Sequence, residues 1–134
     1  MRTRYLPPLL AVLALSTGAP ASAGAVDGIW LEAGMPHCYW FVRENAGMLV
    51  MAQLCNEPAP AYYAGYWEVT LVGGIVGNVA HVSWNVSTAS GTATVTFTSE
   101  TTATLRNDTC TVKSGGPASD CDPTGSSVAL TKFF

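Results

Sequence analysis

The chain is poor in charge: only 11% of its 134 residues are Asp, Glu, Lys or Arg, and just six are cationic. Arg2 and Arg4 belong to the amino-terminal segment, which leaves Arg43, Arg106, Lys113 and Lys132, scattered singly along the sequence. A polyphosphate partner needs clustered Lys and Arg to displace its counterions, so nucleic acid is a poor partner, and anionic membrane surfaces are disfavoured for the same reason. No apolar run approaches the roughly 20 residues of a transmembrane helix. With two histidines, His37 and His81, and no C-x-x-C, no metal-binding pattern is present and no cofactor is expected. Glycine and proline, by contrast, are plentiful (13 and 8), and apolar residues reach 49%, a composition that excludes disorder as the main description.

The amino terminus reads as a secretory signal peptide over residues 1–23. Arg2 and Arg4 supply a positive start, Leu9 to Leu15 a short apolar stretch, and Ala21-Ser22-Ala23 the small-residue cleavage pattern. Cleavage after Ala23 would leave one domain, residues 24–134, with four cations against nine carboxylates and a net charge of −5. The expected location is secreted or periplasmic.

All four cysteines fall in that domain, as two disulfides in an oxidising compartment would require. A two-residue turn at Ala46-Gly47 sets Cys38 opposite Cys55 across a hairpin. A turn at Gly115-Gly116 would do the same for Cys110 and Cys121, although Pro117 beside it disfavours a regular ladder. The expected bridges are therefore Cys38–Cys55 and Cys110–Cys121.

Segments rich in Val, Thr, Tyr, Trp and Phe recur about every ten residues between Gly, Pro, Asn and Ser, the signature of an antiparallel β meander. Strands are expected at Gly28–Glu32, Cys38–Arg43, Met48–Cys55, Tyr62–Leu71, Val79–Val86, Thr92–Thr98, Ala103–Arg106, Cys110–Lys113 and Val128–Phe133, eight or nine in all. A turn at either Gly73-Gly74 or Gly77-Asn78 puts Trp67, Val69 and Leu71 on one face with Ala80, Val82 and Trp84. Turns at Ala89-Ser90 and Glu100 to Thr102 add Ala93, Val95, Phe97, Ala103 and Leu105, with Thr92, Thr94 and Thr96 behind them. A continuous apolar face of this kind must be buried, so an all-β sandwich or small barrel of about eight strands follows. In the first hairpin Cys38, Trp40 and Val42 share one face, but Tyr39 and Phe41 behind them are equally apolar. That outer face calls for cover by the C-terminal tail, the Pro58 loop or a partner.

Candidate chemistry is thin. A serine-hydrolase triad needs Ser, His and a carboxylate to converge, and His81 on the polar face and His37 beside Cys38 offer no such set. Glu32, Glu44, Glu57, Glu68 and Glu100 sit in separate segments, which does not suggest a glycosidase pair. The binding candidate is the aromatic run Tyr62-Tyr63-Ala64-Gly65-Tyr66-Trp67, whose Tyr62 and Tyr66 share the polar face with His81 and Glu68 and stand about 13 Å apart. The closing Phe133-Phe134 is also a feature of outer-membrane barrels, but Lys132 breaks the apolar alternation such a strand needs.

Gly28-Ile29-Trp30 opens the first strand of the domain and Lys132 lies in the last. This resembles the calycin pattern, and the resemblance implies an up-and-down barrel in which a basic residue of the last strand covers the first-strand indole. Trp30 followed by Cys38 is also similar to the start of small periplasmic metalloprotease inhibitors of that type, although only Gly24 to Asp27 precede the motif where an inhibitory arm would lie. Gly91-Thr92-Ala93-Thr94-Val95-Thr96-Phe97 resembles a stretch of secreted bacterial proteins of unknown function. The expected activity is non-enzymatic binding or inhibition, with an extracytoplasmic protein as partner before a glycan or small ligand. The ground for that order is that Trp30, Trp67, Trp84 and Phe97 should leave little room inside so short a barrel.

Overall fold

A computed structural model describes residues 24–56 and 66–134, side chains of 66–68 aside. Eight antiparallel strands, each hydrogen-bonded to the next, close into a barrel when the last meets the first. They are β1 (Gly28–Glu32), β2 (Met35–Asn45), β3 (Met48–Cys55), β4 (Tyr66–Val76), β5 (Val79–Asn85), β6 (Ala89–Phe97), β7 (Thr102–Val112) and β8 (Ser127–Lys132). The barrel is the form taken, and the sandwich is not. The expected segment Tyr62 to Gly65 lies outside the described residues.

Alternation fills the interior. Trp30, Trp40, Val42, Leu49, Met51, Leu71, Val82, Val95, Phe97 and Leu130 are all buried, each on the inward phase of its strand. Outward positions on β5 to β7 carry His81, Ser83, Asn85, Thr92 and Arg106 in exposed settings. A barrel crossing a bilayer needs the reverse, an apolar outer band all the way round.

Several turns differ from expectation while the faces survive. The β4–β5 turn is at Gly77-Asn78, and Gly73 and Gly74 continue the strand opposite Val82 and His81. At Gly73 a Cβ would stand 1.9 Å from the His81 carbonyl oxygen, so this glycine serves close backbone approach and not a turn. The β5–β6 connection falls at Ser87-Thr88 in place of Ala89-Ser90, a shift of even register that leaves Val82 opposite Ala93. The two short strands expected around Asn107-Asp108 are one strand, β7, because the extra residue is absorbed as a register shift beside Thr92 and Ala93.

Both disulfides form as expected. Cys38 and Cys55 are direct cross-strand partners with Cα atoms 4.1 Å apart. Cys110–Cys121 spans 5.6 Å but is not a hairpin pair: β7 ends at Val112, and Cys121 follows a single 3-10 turn, Ala118–Asp120, within the long β7–β8 loop. Pro117 has no N–H with which to extend a ladder, and here it precedes that turn.

One end of the barrel is closed. Trp30 is fully buried, packs edge-on to Phe97 at 5.5 Å, and donates from Nε1 to the Val26 carbonyl. Lys132, paired with Trp30 across β1 and β8, sits 5.9 Å from the indole centroid and donates to the Ala25 carbonyl. The lysine-over-indole contact is thus present, worth about 0.5 to 2 kcal/mol. The turn at residues 24–27 is clamped below it, with Gly24 N–H donating to Glu44, Glu44 N–H to Asp27, and Asp27 paired with Arg43.

The β2–β3 turn at Ala46-Gly47 places both residues at positive φ, 51° and 79°. An alanine there meets the steric cost of the left-handed region. Ala46→Gly should therefore raise the free energy of unfolding by about 1 kcal/mol, read from urea denaturation; an unchanged or lower midpoint would show that the turn does not hold this geometry.

Candidate functional site

Among the described residues the opposite end is open. The β1–β2, β5–β6 and β7–β8 connections lie there, and between them is a cavity of about 580 Å³. It is lined by the apolar Trp40, Val69, Leu71, Trp84, Leu105 and Val128 and by the polar Glu32, Gln53, Asn107, Asp120 and Asp122. Of the four large aromatics expected to fill the interior, Trp30 and Phe97 fill the closed half and Trp84 forms part of the wall of the open half, while the Trp67 side chain lies outside what is described. The ladders shift register at Leu31/Glu32, Ala52/Leu54 and Thr92/Ala93, and Ala93, which lines the cavity, contributes little volume. Gly91 gives Trp84 its place: a Cβ there would come within 2.8 Å of two indole carbons.

Glu32 is the central polar group. Two residues after the buried Trp30, strand alternation turns it inward. Its Oε2 accepts from Trp40 Nε1 at 2.9 Å and from the amide of the buried Gln53 at 3.0 Å. Burial pushes the Glu32 carboxyl above the ordinary carboxylate range; the Trp40 hydrogen bond opposes this and the nearby Asp122 charge adds to it. Asp120 and Asp122 reach the mouth on the β7–β8 loop, held by the Cys110–Cys121 bridge and by Asn107, whose Nδ2 donates to the Asp122 carbonyl at 2.7 Å.

Of the residues singled out from sequence, Tyr66 on β4 and His81 on β5 are set apart along the strands. Tyr62 lies outside the described residues, and Glu68 is described only as backbone of β4. Tyr66 begins β4 opposite Cys55, at the open end, whereas His81 pairs with Gly74 near the other end of that strand, about 26 Å away at 3.3 Å per residue. His81 instead stands on the outer wall, its Nδ1 3.2 Å from the Thr94 hydroxyl, which donates to Asp108 at 2.6 Å. Asp108 is held below its ordinary value by that Thr94 hydrogen bond and by Arg106. The carboxylate thus accepts the hydroxyl's hydrogen bond directly, with no imidazole between them, which is not the order of a hydrolase triad. His37 is exposed beside the first disulfide. Among the described residues no three His, Cys, Asp or Glu side chains converge to hold a metal ion.

Outside, the first hairpin stays apolar and exposed at Met48 and Val50, next to Val72 of β4. The C-terminal tail does not cover it. Phe133 donates to the Ile29 carbonyl and Phe134 accepts from Ile29 N–H, which prolongs the β1–β8 pairing. The Pro58 loop lies outside the described residues.

Sequence reasoning passed over Glu32, Gln53, Asp120 and Asp122. For the first two the signal was present: Trp30 and Met51 point inward, and alternation carries Glu32 and Gln53 with them. The two aspartates sit in an irregular loop, where no periodicity applies.

No family model, curated protein or solved structure matches this chain.

Because Glu32 has a folded-state pKa above its unfolded one, its contribution to stability is present in acid and is lost as pH rises through the folded-state value. Glu32→Gln, which keeps an acceptor for Trp40 and Gln53, should therefore gain stability relative to the parent as pH is raised from acid to neutral. Urea midpoints across that range test this, and parallel curves for the two proteins would refute it.

Proposed function

We propose that this protein is a non-enzymatic, extracytoplasmic ligand-binding barrel that receives a small molecule through its open end. The observation that carries the reading is the cavity of about 580 Å³, with apolar walls and a few convergent polar groups among its lining. Its size falls within the range of roughly 300 to 1,000 Å³ typical of small-molecule sites. The closed end makes it a cup, and the disulfides fix two of its rims, joining β2 to β3 at Cys38–Cys55 and the β7–β8 loop to β7 at Cys110–Cys121.

This reverses the order of partners expected from sequence, which assumed a filled interior. A protein docked on the outside is the second reading and draws on the exposed Met48, Val50 and Val72. That face offers apolar contact but no convergent polar groups, whereas the cup offers both.

The disulfides are consistent with an extracytoplasmic compartment. Two disulfides persist in oxidising surroundings, and among the described residues no helix is long and apolar enough to cross a membrane. The signal-like segment at residues 1–23 supports export and lies outside the described residues.

A neutral aromatic probe, N-phenylnaphthylamine, should gain fluorescence on mixing with the oxidised protein. Leu105→Trp and Val128→Phe, which project bulk into the cup, should each weaken that binding by about tenfold or more, as expected when buried apolar contact is replaced by a clash. Unfolding midpoints must stay close to the parent's. Probe binding that is absent, or indifferent to both substitutions in folded protein, would reject the cup as the site.

A further inference from the structure

The ligand class can be narrowed from the charges and hydrogen-bonding capacity of the cup. Three carboxylates, Glu32, Asp120 and Asp122, line it, and no Lys, Arg or His is among its described lining residues. The four cations of the domain are engaged elsewhere. Arg43 pairs with Asp27, Arg106 with Asp108 on the outer wall, and Lys132 covers Trp30 at the closed end. Lys113, near the open end, is bound to the Asn85 side chain and the Val86 carbonyl. The stretch at 57–68 contributes no cation by sequence.

Hydrogen-bonding capacity points the same way. Trp40 and the Gln53 amide nitrogen both donate to one oxygen of Glu32, and those donors face the carboxylate and not the cavity. The other oxygen, Oε1, accepts no hydrogen bond from the described residues, and neither does the amide oxygen of Gln53, a residue only 5% exposed. No side-chain oxygen sealed from solvent lacks a partner among the described residues, so these two acceptors open onto the cavity. What is missing is a donor.

We propose that the cup binds a small organic cation, an amine whose ammonium donates to the free oxygens of Glu32 and Gln53 while its apolar body lies against Trp84, Leu71 and Leu105. The proposal rests on the ligand-binding reading above. An ammonium supplies three donors and a full positive charge, matching a charged acceptor beside a neutral one. The indoles of Trp40 and Trp84 add faces suited to a cation. An inorganic ion is a poorer match, because no three carboxylates converge on one point among the described residues. An anion would meet three like charges in a poorly solvated site, and a neutral ligand would leave the Glu32 charge without a counterion.

The test is displacement of N-phenylnaphthylamine from the oxidised protein near neutral pH by three compounds of one shape: tryptamine, the neutral alcohol tryptophol, and indoleacetate. Tryptamine should displace the probe at a concentration about tenfold below tryptophol, the scale of one charge-assisted hydrogen bond, with indoleacetate weakest and added salt narrowing the gap. Glu32→Gln should remove the tenfold preference and leave tryptophol unchanged. Asp122→Asn, a change in an exposed loop that does not endanger folding, should reduce the preference in the same direction by less. Displacement by tryptophol or indoleacetate as readily as by tryptamine, or a tryptamine preference untouched by both variants, overturns the cation proposal and leaves the cup standing as a binding site. Failure of N-phenylnaphthylamine itself to bind removes both readings together.

Discussion

The structure depends on the closure of β1 against β8, two short strands at opposite ends of the described domain. Trp30 and Lys132 meet in that seam, the indole buried beneath the lysine stem and the ammonium tied to the Ala25 carbonyl. Without it, β1 and β8 would be free edges, each presenting unpaired N–H and C=O groups to solvent and to other chains. With it, the sheet has no edge and its apolar face becomes an interior. The same seam seals one end, since Trp30 also carries the contact to Phe97 and the bond to Val26.

Closing one end determines what the other can be. A short barrel packed at both ends would be a solid core, and a barrel open at both ends would be a tube. Here the large aromatics Trp30 and Phe97 fill the lower half, and among the described residues the upper half holds the cavity. The bridges are placed where an opening needs support. Cys38–Cys55 ties the mouth ends of β2 and β3, and Cys110–Cys121 anchors a long loop that carries two of the acidic groups. Most of such a loop has no ladder to hold it, so its position comes from the covalent tie and the contacts of Asn107.

Charge is sorted by location. The cations stand on the outer wall, in the seam or in bonds at the rim, and the cup keeps acidic groups alone among its described lining residues. The partly buried carboxylate at its centre is held by only two donors, both on one oxygen. Desolvation of that kind disfavours the ionised form. This asymmetry, more than net charge, is what the proposal of a cationic ligand rests on.

Much of this was legible in the sequence because a strand has a period of two. Alternation from Trp30, Trp40, Leu71, Val82 and Val95 assigns the inward faces, and no even error in turn position disturbs them, which is why the faces held at Ser87-Thr88 although the turn had moved. Turn chemistry at Ala46-Gly47 fixed the register that pairs Cys38 with Cys55. Tertiary structure alone decided the remainder. Whether an apolar face meets a second sheet or its own last strand depends on closure across the whole chain, which no local pattern encodes. The volume left inside depends on where along the axis each aromatic sits, which a count of tryptophans does not give. His81 and Tyr66 were separated because Gly73 answers to a close carbonyl and not to a turn, and Asp122 was brought toward Glu32 by a disulfide across an aperiodic loop. Sequence determined the faces, the bridges and the strands; the fold determined which end stayed open and which charges met there.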